Sequence, residues 1–160
     1  MSRRKTLHDG MKMSAWIRRW IYTVASLCLA SGACWLILHY FISREGEFGP
    51  EPHPLEHIML IIHGCVSLLL VWLLGLIFIV HIKRAWQKKL NRTTGLVISL
   101  ISLMLILSGL GLYYLGSEQL RINTATVHWV LGLAAGIALP AHIYWGRILQ
   151  ARKANSTASH

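Results

Sequence analysis

The sequence predicts an all-α integral membrane protein: a single domain built as a bundle of four transmembrane helices, with both termini in the cytoplasm. Three observations carry that expectation. Of the 160 residues, 54% are apolar, and they gather into four blocks. A hydrocarbon core about 30 Å thick needs roughly 20 apolar residues of helix, and each block is long enough. Lys and Arg crowd into alternate connections, the bias that orients multi-pass proteins, while Trp and Tyr collect near the block ends as interfacial belts do.

The first predicted span covers residues 20–42. Its apolar stretch is too long for a cleaved signal peptide, and no A-x-A site follows it. Cys34, preceded by Ser31, Gly32 and Ala33, lacks the leucine that a lipoprotein signal would place three residues before its cysteine. The segment therefore reads as a retained helix. Next comes REGEFGPEPHPLEH, residues 44–57, in which three prolines and two glycines oppose a regular helix. It is expected to be a loop capping the outer face, serving either as an ordinary acidic solvated surface or as a docking and access surface. The second span, 58–82, leads into a basic connection. The third, 95–115, closes with SGLGLYYLG (108–116), and a short outer loop precedes the fourth span, 125–148. With connections of about 15, 12 and 9 residues, sequential helices are antiparallel neighbours, so spans two and four run in the same direction.

The charges orient this bundle. Arg3, Arg4, Lys5, Lys12, Arg18 and Arg19 precede the first span, and Lys83, Arg84, Lys88, Lys89 and Arg92 lie between spans two and three. Arg147, Arg152 and Lys153 sit at or beyond the end of span four, and only Arg44 and Arg121 occupy the other loops. The positive-inside rule puts both termini in the cytoplasm, with the loops around 43–57 and 116–124 facing outward. Glu45, Glu47, Glu51, Glu56 and Glu118 share the outer side. Trp16, Trp20, Trp86, Tyr144 and Trp145 mark the inner interface, and Tyr40, Tyr113, Tyr114 and Trp129 the outer. A net charge of +10 would point to nucleic acid in a soluble protein. Here it sets topology, and a nucleic-acid partner is excluded.

Cys28, Cys34 and Cys65 all lie in spans without a C-x-x-C pair or a C-x-x-C-H sequence. They read as small buried residues, and covalent c-type haem attachment is excluded.

Histidines are the chemistry-bearing feature. His63 opens span two and His81 closes it; His128 and His142 do the same for span four. At about 100° per residue, the 18-residue separation of His63 and His81 returns to one azimuth, and the 14-residue separation of His128 and His142 falls within about 40°. Each pair shares a helix face, with rises of roughly 27 Å and 21 Å, a mismatch that tilt or a kink at Pro140 would absorb. Ionisable side chains inside a membrane are expensive and need partners. Two imidazoles facing each other at one depth can occupy both axial positions of a haem iron, so His63 with His128 and His81 with His142 are the expected ligand pairs of two haems b. A zinc or copper ion would want its ligands clustered, often with Cys, Asp or Glu.

His39, near the outer end of span one, is expected at the level of His63 and His128, where it would replace one of them or hydrogen-bond a propionate or a quinone. His53 and His57 are expected to be solvated, and His8 and His160 belong to the tails. Gly64 beside His63, and Gly132 with Gly136 in span four, offer clearance for a haem face or equally for close helix packing. Arg84, Arg147 and Arg121 are candidate propionate partners as well as topology charges.

At these positions the chain resembles the bacterial b-type membrane cytochromes, the four-helix di-haem subunits that serve hydrogenases, formate dehydrogenases and related reductases. The likeness rests on His63-Gly64 with His81 and Trp86, on SGLGLYYL, and on HWVLGL followed by His142 and Gly146-Arg147, covering roughly residues 15–150. The resemblance implies electron transfer through the haems between a quinone or quinol and a redox protein on the outer side. Membrane lipid and a second copy of the chain complete the expected partners. Family members often carry a ligand on the first helix, which bears on His39. Two rivals stand beside this reading. A proton or metal transporter would be expected to carry carboxylates in its spans, which hold none. A haem-free assembly or interaction protein would use the same histidines to bridge helices.

Overall fold

The computed structural model describes residues 15–47, 49–78 and 91–158. The order of elements is α1 (Ala15–Phe41), β1 (Ser43–Gly46), β2 (Gly49–Pro52), α2 (Pro54–Ile77), α3 (Arg92–Tyr114) and α4 (Glu118–Ala158). Among the described residues these four helices are long and apolar enough to cross a membrane. The end of the second predicted span lies outside the described residues, together with His81, Lys83, Arg84, Trp86, Lys88 and Lys89.

The Pro-rich stretch departs from the expected loop. Strands β1 and β2 pair antiparallel, with Ser43 opposite Pro52, Arg44 opposite Glu51, Glu45 opposite Pro50 and Gly46 opposite Gly49. A two-stranded ribbon has only edge strands, so a proline can sit where its missing N–H would have faced outward. Gly49 turns the chain at φ 116°, a conformation that an L side chain resists. Pro54 then starts α2, in the first turn where the absent N–H would have had no helical partner. Residues 54–57, expected in the loop, therefore belong to the helix.

The fourth helix is also longer than its apolar block. It begins at Glu118, whose carboxylate suits the positive end of the helix dipole. The expected outer loop 116–124 contracts to a connection at 115–117. Pro140 removes one backbone hydrogen bond, yet the helix continues past it to Ala158.

Packing proceeds by hairpins: α1 lies against α2, α3 against α4, and α1 and α4 make the main contact between the two pairs. Ile21, Val24 and Leu73 form a small buried centre in the first hairpin, flanked by Tyr22, Val66, Leu70 and Ile77. Gly136 lets α4 approach α1, since a Cβ there would stand 2.9 Å from Leu29 Cδ2. Leu29 precedes the Ser31 that touches His63, and Gly136 follows the His128 whose ring meets His63. Both contacts are satisfied when α4 runs away from the β-hairpin end, as α2 does. Large apolar side chains in mid-helix face outward, with Leu68 74% and Ile137 75% exposed. A surface of that kind is matched to acyl chains rather than to water.

Candidate cofactor site

The hairpin register decides which side chains share a depth. Along α1 and α2, His39 lies opposite Glu56 and Gly32 opposite His63. Along α3 and α4, Gly109 lies opposite His128, Gly95 opposite His142, and Asn91 opposite Gly146. Between the hairpins, the rings of His63 and His128 stand with centroids 6.2 Å apart and planes at 89°.

Both rings are held through Nδ1. His63 Nδ1 lies 2.9 Å from the Cys28 carbonyl oxygen, which can only accept, so this nitrogen carries the hydrogen. Ser31 Oγ lies 3.2 Å from the same nitrogen while donating its own hydrogen to the Cys28 carbonyl at 3.0 Å. His128 Nδ1 meets Ser108 Oγ at 2.8 Å, and Ser108 donates to the carbonyl of Met104 at 2.7 Å. With its hydrogen committed to the backbone, the Ser108 oxygen accepts from Nδ1–H. Both imidazoles are thereby assigned the tautomer whose Nε2 presents a lone pair, the usual arrangement of a metal-ligating histidine.

At the other depth His142 Nδ1 faces a donor, Asn91 Nδ2 at 3.2 Å, as well as a hydroxyl. Its Nδ1 is 2.8 Å from Thr94 Oγ1, and the Thr94 hydroxyl donates to Asn91 Oδ1 in a short hydrogen bond. Asn91 Nδ2 donates in turn to the His142 carbonyl at 3.1 Å. Asn91 is the N-cap of α3 with φ 52°, a left-handed conformation tolerated by asparagine, and its side chain makes no capping bond to its own helix. The side chain is turned across to α4 instead.

A repeated device emerges. Ser31-Gly32, Ser108-Gly109 and Thr94-Gly95 each present a hydroxyl to Nδ1 of a histidine on the next helix, and the adjoining glycine gives the ring room. A Cβ at Gly32 would stand 3.0 Å from His63 Cε1, one at Gly109 3.5 Å from His128 Cε1, and one at Gly95 3.6 Å from His142 Cε1. Sequence reasoning missed these hydroxyl partners and Asn91. The available signal was a Ser-Gly or Thr-Gly pair recurring in the helices that precede the histidine-bearing ones.

The other expected site residues fall differently. His39 is not at the level of His63: its Nδ1–H donates to Glu56 Oε2 at 3.0 Å, and Glu56 precedes His63 by about 10 Å of helix. The ring stacks on Trp35, with centroids 4.7 Å apart and planes at 14°. The level of His63 is reached on α1 by Cys28, Ser31 and Gly32. The register explains the correction, because α1 continues to Phe41 before the chain turns. Gly64 faces α3 rather than a histidine, with its Cβ position 3.5 Å from the Tyr113 hydroxyl. Gly132, one turn beyond His128 on the same face, has nothing within 4 Å of its Cβ position. Arg121 and Arg147 are exposed on α4. His81 and Arg84 lie outside the described residues.

Glu56 has a second task. Its Oε1 accepts from the His53 backbone N–H at 3.2 Å, and His53 Nδ1 accepts from the Leu55 N–H at 3.2 Å, so the start of α2 is capped reciprocally. His53 is thus a capping residue, while His57 is exposed as expected. The Glu56 side chain is 13% exposed beneath the 46% exposed His39. Glu56→Ala is expected to lower stability by about 1 kcal/mol, the usual value of a lost helix cap, because an exposed ion pair adds little. Thermal unfolding in detergent measures it, and an unchanged midpoint would remove this role from Glu56.

Among the described residues no three or more His, Cys, Asp or Glu side chains converge as the ligands of a metal ion would. Two imidazoles on opposite sides of one iron have ring centroids roughly 6 Å apart, from a metal–nitrogen bond of about 2 Å and about 1.2 Å more to each ring centre. The observed 6.2 Å meets that requirement. The indole Nε1 of Trp129, next to His128, is buried with no hydrogen-bond partner among the described residues, and buried donors of this type normally have one.

No family model, characterised protein or solved structure matches the chain.

Proposed function

We propose that this protein is an integral membrane b-type cytochrome, with two haems b relaying electrons between a quinone pool and a redox protein on the outer side. The observation that carries the reading is the opposed pair His63 and His128, each with Nδ1 engaged and Nε2 in its lone-pair form. His81 and His142 would hold the second haem, with Thr94 and Asn91 orienting His142. When bound, haem supplies a reversible one-electron couple.

The chain's own residues supply position and environment. His63 and His128 would hold the haem through Nε2, and the Cys28 carbonyl and Ser108 hydroxyl hold the rings. Gly132 keeps the face beside His128 clear, and Trp129 offers a buried donor suited to a propionate oxygen. The positive-inside bias supports insertion in a bacterial inner membrane with both termini in the cytoplasm. The hairpin end, carrying the β-ribbon and its glutamates, then faces outward.

A second reading draws on the same hydrogen bonds. Because each Nδ1 contact joins two helices, a haem-free assembly protein using histidine as polar glue accounts for the bonds within each hairpin. It does not account for His63 meeting His128 across the hairpins with no hydrogen bond between them.

A pyridine haemochrome assay on the purified full chain is expected to return two haems b per polypeptide, with a Soret band and split reduced α bands. Zero haems would overturn the cytochrome reading in favour of the haem-free one. A single haem would confine it to one level.

A further inference from the structure

At the hairpin end of the molecule an open cleft of about 340 Å³ lies between Trp35 of α1, Pro52 of β2, and His53, Glu56, His57 and Leu60 around the start of α2. That volume suits one small ring system. His53 Nδ1 accepts from the Leu55 N–H, which leaves the hydrogen of the neutral ring on Nε2, as a donor. Glu56 accepts from the His53 N–H on one oxygen and from His39 Nδ1–H on the other, and each carboxylate oxygen keeps a second lone pair. The cleft therefore combines a donor and an acceptor with an indole. Leu60, one turn beyond Glu56, forms its apolar end and is 51% exposed on the outer surface of the helix.

We infer that this cleft binds the headgroup of a lipid-soluble hydroquinone, and so supplies the quinone site of the cytochrome reading, on which the inference rests. A ring hydroxyl donates to Glu56, a ring oxygen accepts from His53 Nε2–H, and Trp35 offers the ring an aromatic surface. The apolar tail leaves past Leu60 along α2. A phospholipid headgroup fits less well, because its phosphate would meet the Glu56 carboxylate, and no Lys or Arg among the described residues lines the cleft. The depth also agrees. Glu56 and Leu60 precede His63 by seven and three residues, about 10 Å and 5 Å of helix, so the ring stands close to the level of His63 and His128.

The test measures binding of a decyl-tailed para-benzohydroquinone to the full chain in lipid nanodiscs, by anaerobic calorimetry against empty nanodiscs. Saturable binding is expected. Glu56→Gln keeps an oxygen for the His53 N–H and loses the carboxylate, and is expected to weaken binding about tenfold. His53→Asn keeps a good helix cap and loses the ring donor, so it too should bind several-fold more weakly with its melting midpoint retained. Ala138→Leu, which fills the cleft between α3 and α4 beside His142, should bind as the wild type does. Affinity unchanged in both Glu56→Gln and His53→Asn, or lost only in Ala138→Leu, would overturn the inference and leave the cytochrome reading intact. Displacement of the hydroquinone by dihexanoyl phosphatidylglycerol would mark a phospholipid site and overturn it as well. Hydroquinone binding that depends on Glu56 and His53 in a protein without haem would support the cleft assignment while overturning the cytochrome reading.

Discussion

On the proposed cytochrome reading, alanine at His63 is expected to halve the haem content, from two per chain to one, and alanine at His128 to remove the same haem. The two substitutions share one outcome because the rings lie at a single depth, with centroids 6.2 Å apart, and on that reading would hold the same iron. The imidazole that remains would be a single ligand where the proposed haem needs two. The spectral component lost should be identical in the two variants, and a double variant should lose no more. His39→Ala is the control. Its Nδ1–H belongs to Glu56 and its ring to Trp35, about 10 Å of helix from His63, so both haems should remain. Loss of different components in the two variants, or of a haem in His39→Ala, would contradict the assignment.

Gly32→Ala is the second large effect, and two other glycines make it informative. An added Cβ at residue 32 would stand 3.0 Å from Cε1 and 3.1 Å from Nδ1 of the His63 ring. That ring is rigid and tied to the Cys28 carbonyl, so relief requires either a broken hydrogen bond or a shift of α1 against α2. Overpacking of this type costs about 1–3 kcal/mol, more than the roughly 1 kcal/mol that alanine gains over glycine within a helix. Lower thermal stability should follow and, on the proposed reading, reduced haem occupancy at His63. At Gly109 and Gly95 the corresponding distances are 3.5 Å and 3.6 Å, ordinary contact, so propensity wins and alanine there should be neutral or slightly stabilising. Detergent melting curves of the three variants give the comparison. Equal behaviour of all three would show that the His63 ring has more freedom than its hydrogen bonds imply.

Sequence alone determined the four helical segments, because a run of some twenty apolar residues has few other stable solutions and periodicity is local information. The same locality determined the shared azimuth of His128 and His142, fourteen residues apart on one helix. It failed where an element's conformation depends on what lies beside it. The prolines at 50, 52 and 54 oppose a helix interior, yet two lie in a ribbon made only of edges and one opens a helix. Glu118 and the residues after it read as loop because they are polar, although their neighbours let α4 begin there.

Tertiary structure alone decided the cross-helix relations. Period and rise set each histidine's depth along its own helix, but the sliding register between two antiparallel helices depends on packing across the pair. That register moved His39 out to Glu56 and brought Ser31-Gly32, Ser108-Gly109 and Thr94-Gly95 against three different imidazoles. A hydroxyl inside an apolar helix bonds its own backbone by default. Only the facing helix turns its oxygen into an acceptor for a histidine and so determines which ring nitrogen presents a lone pair.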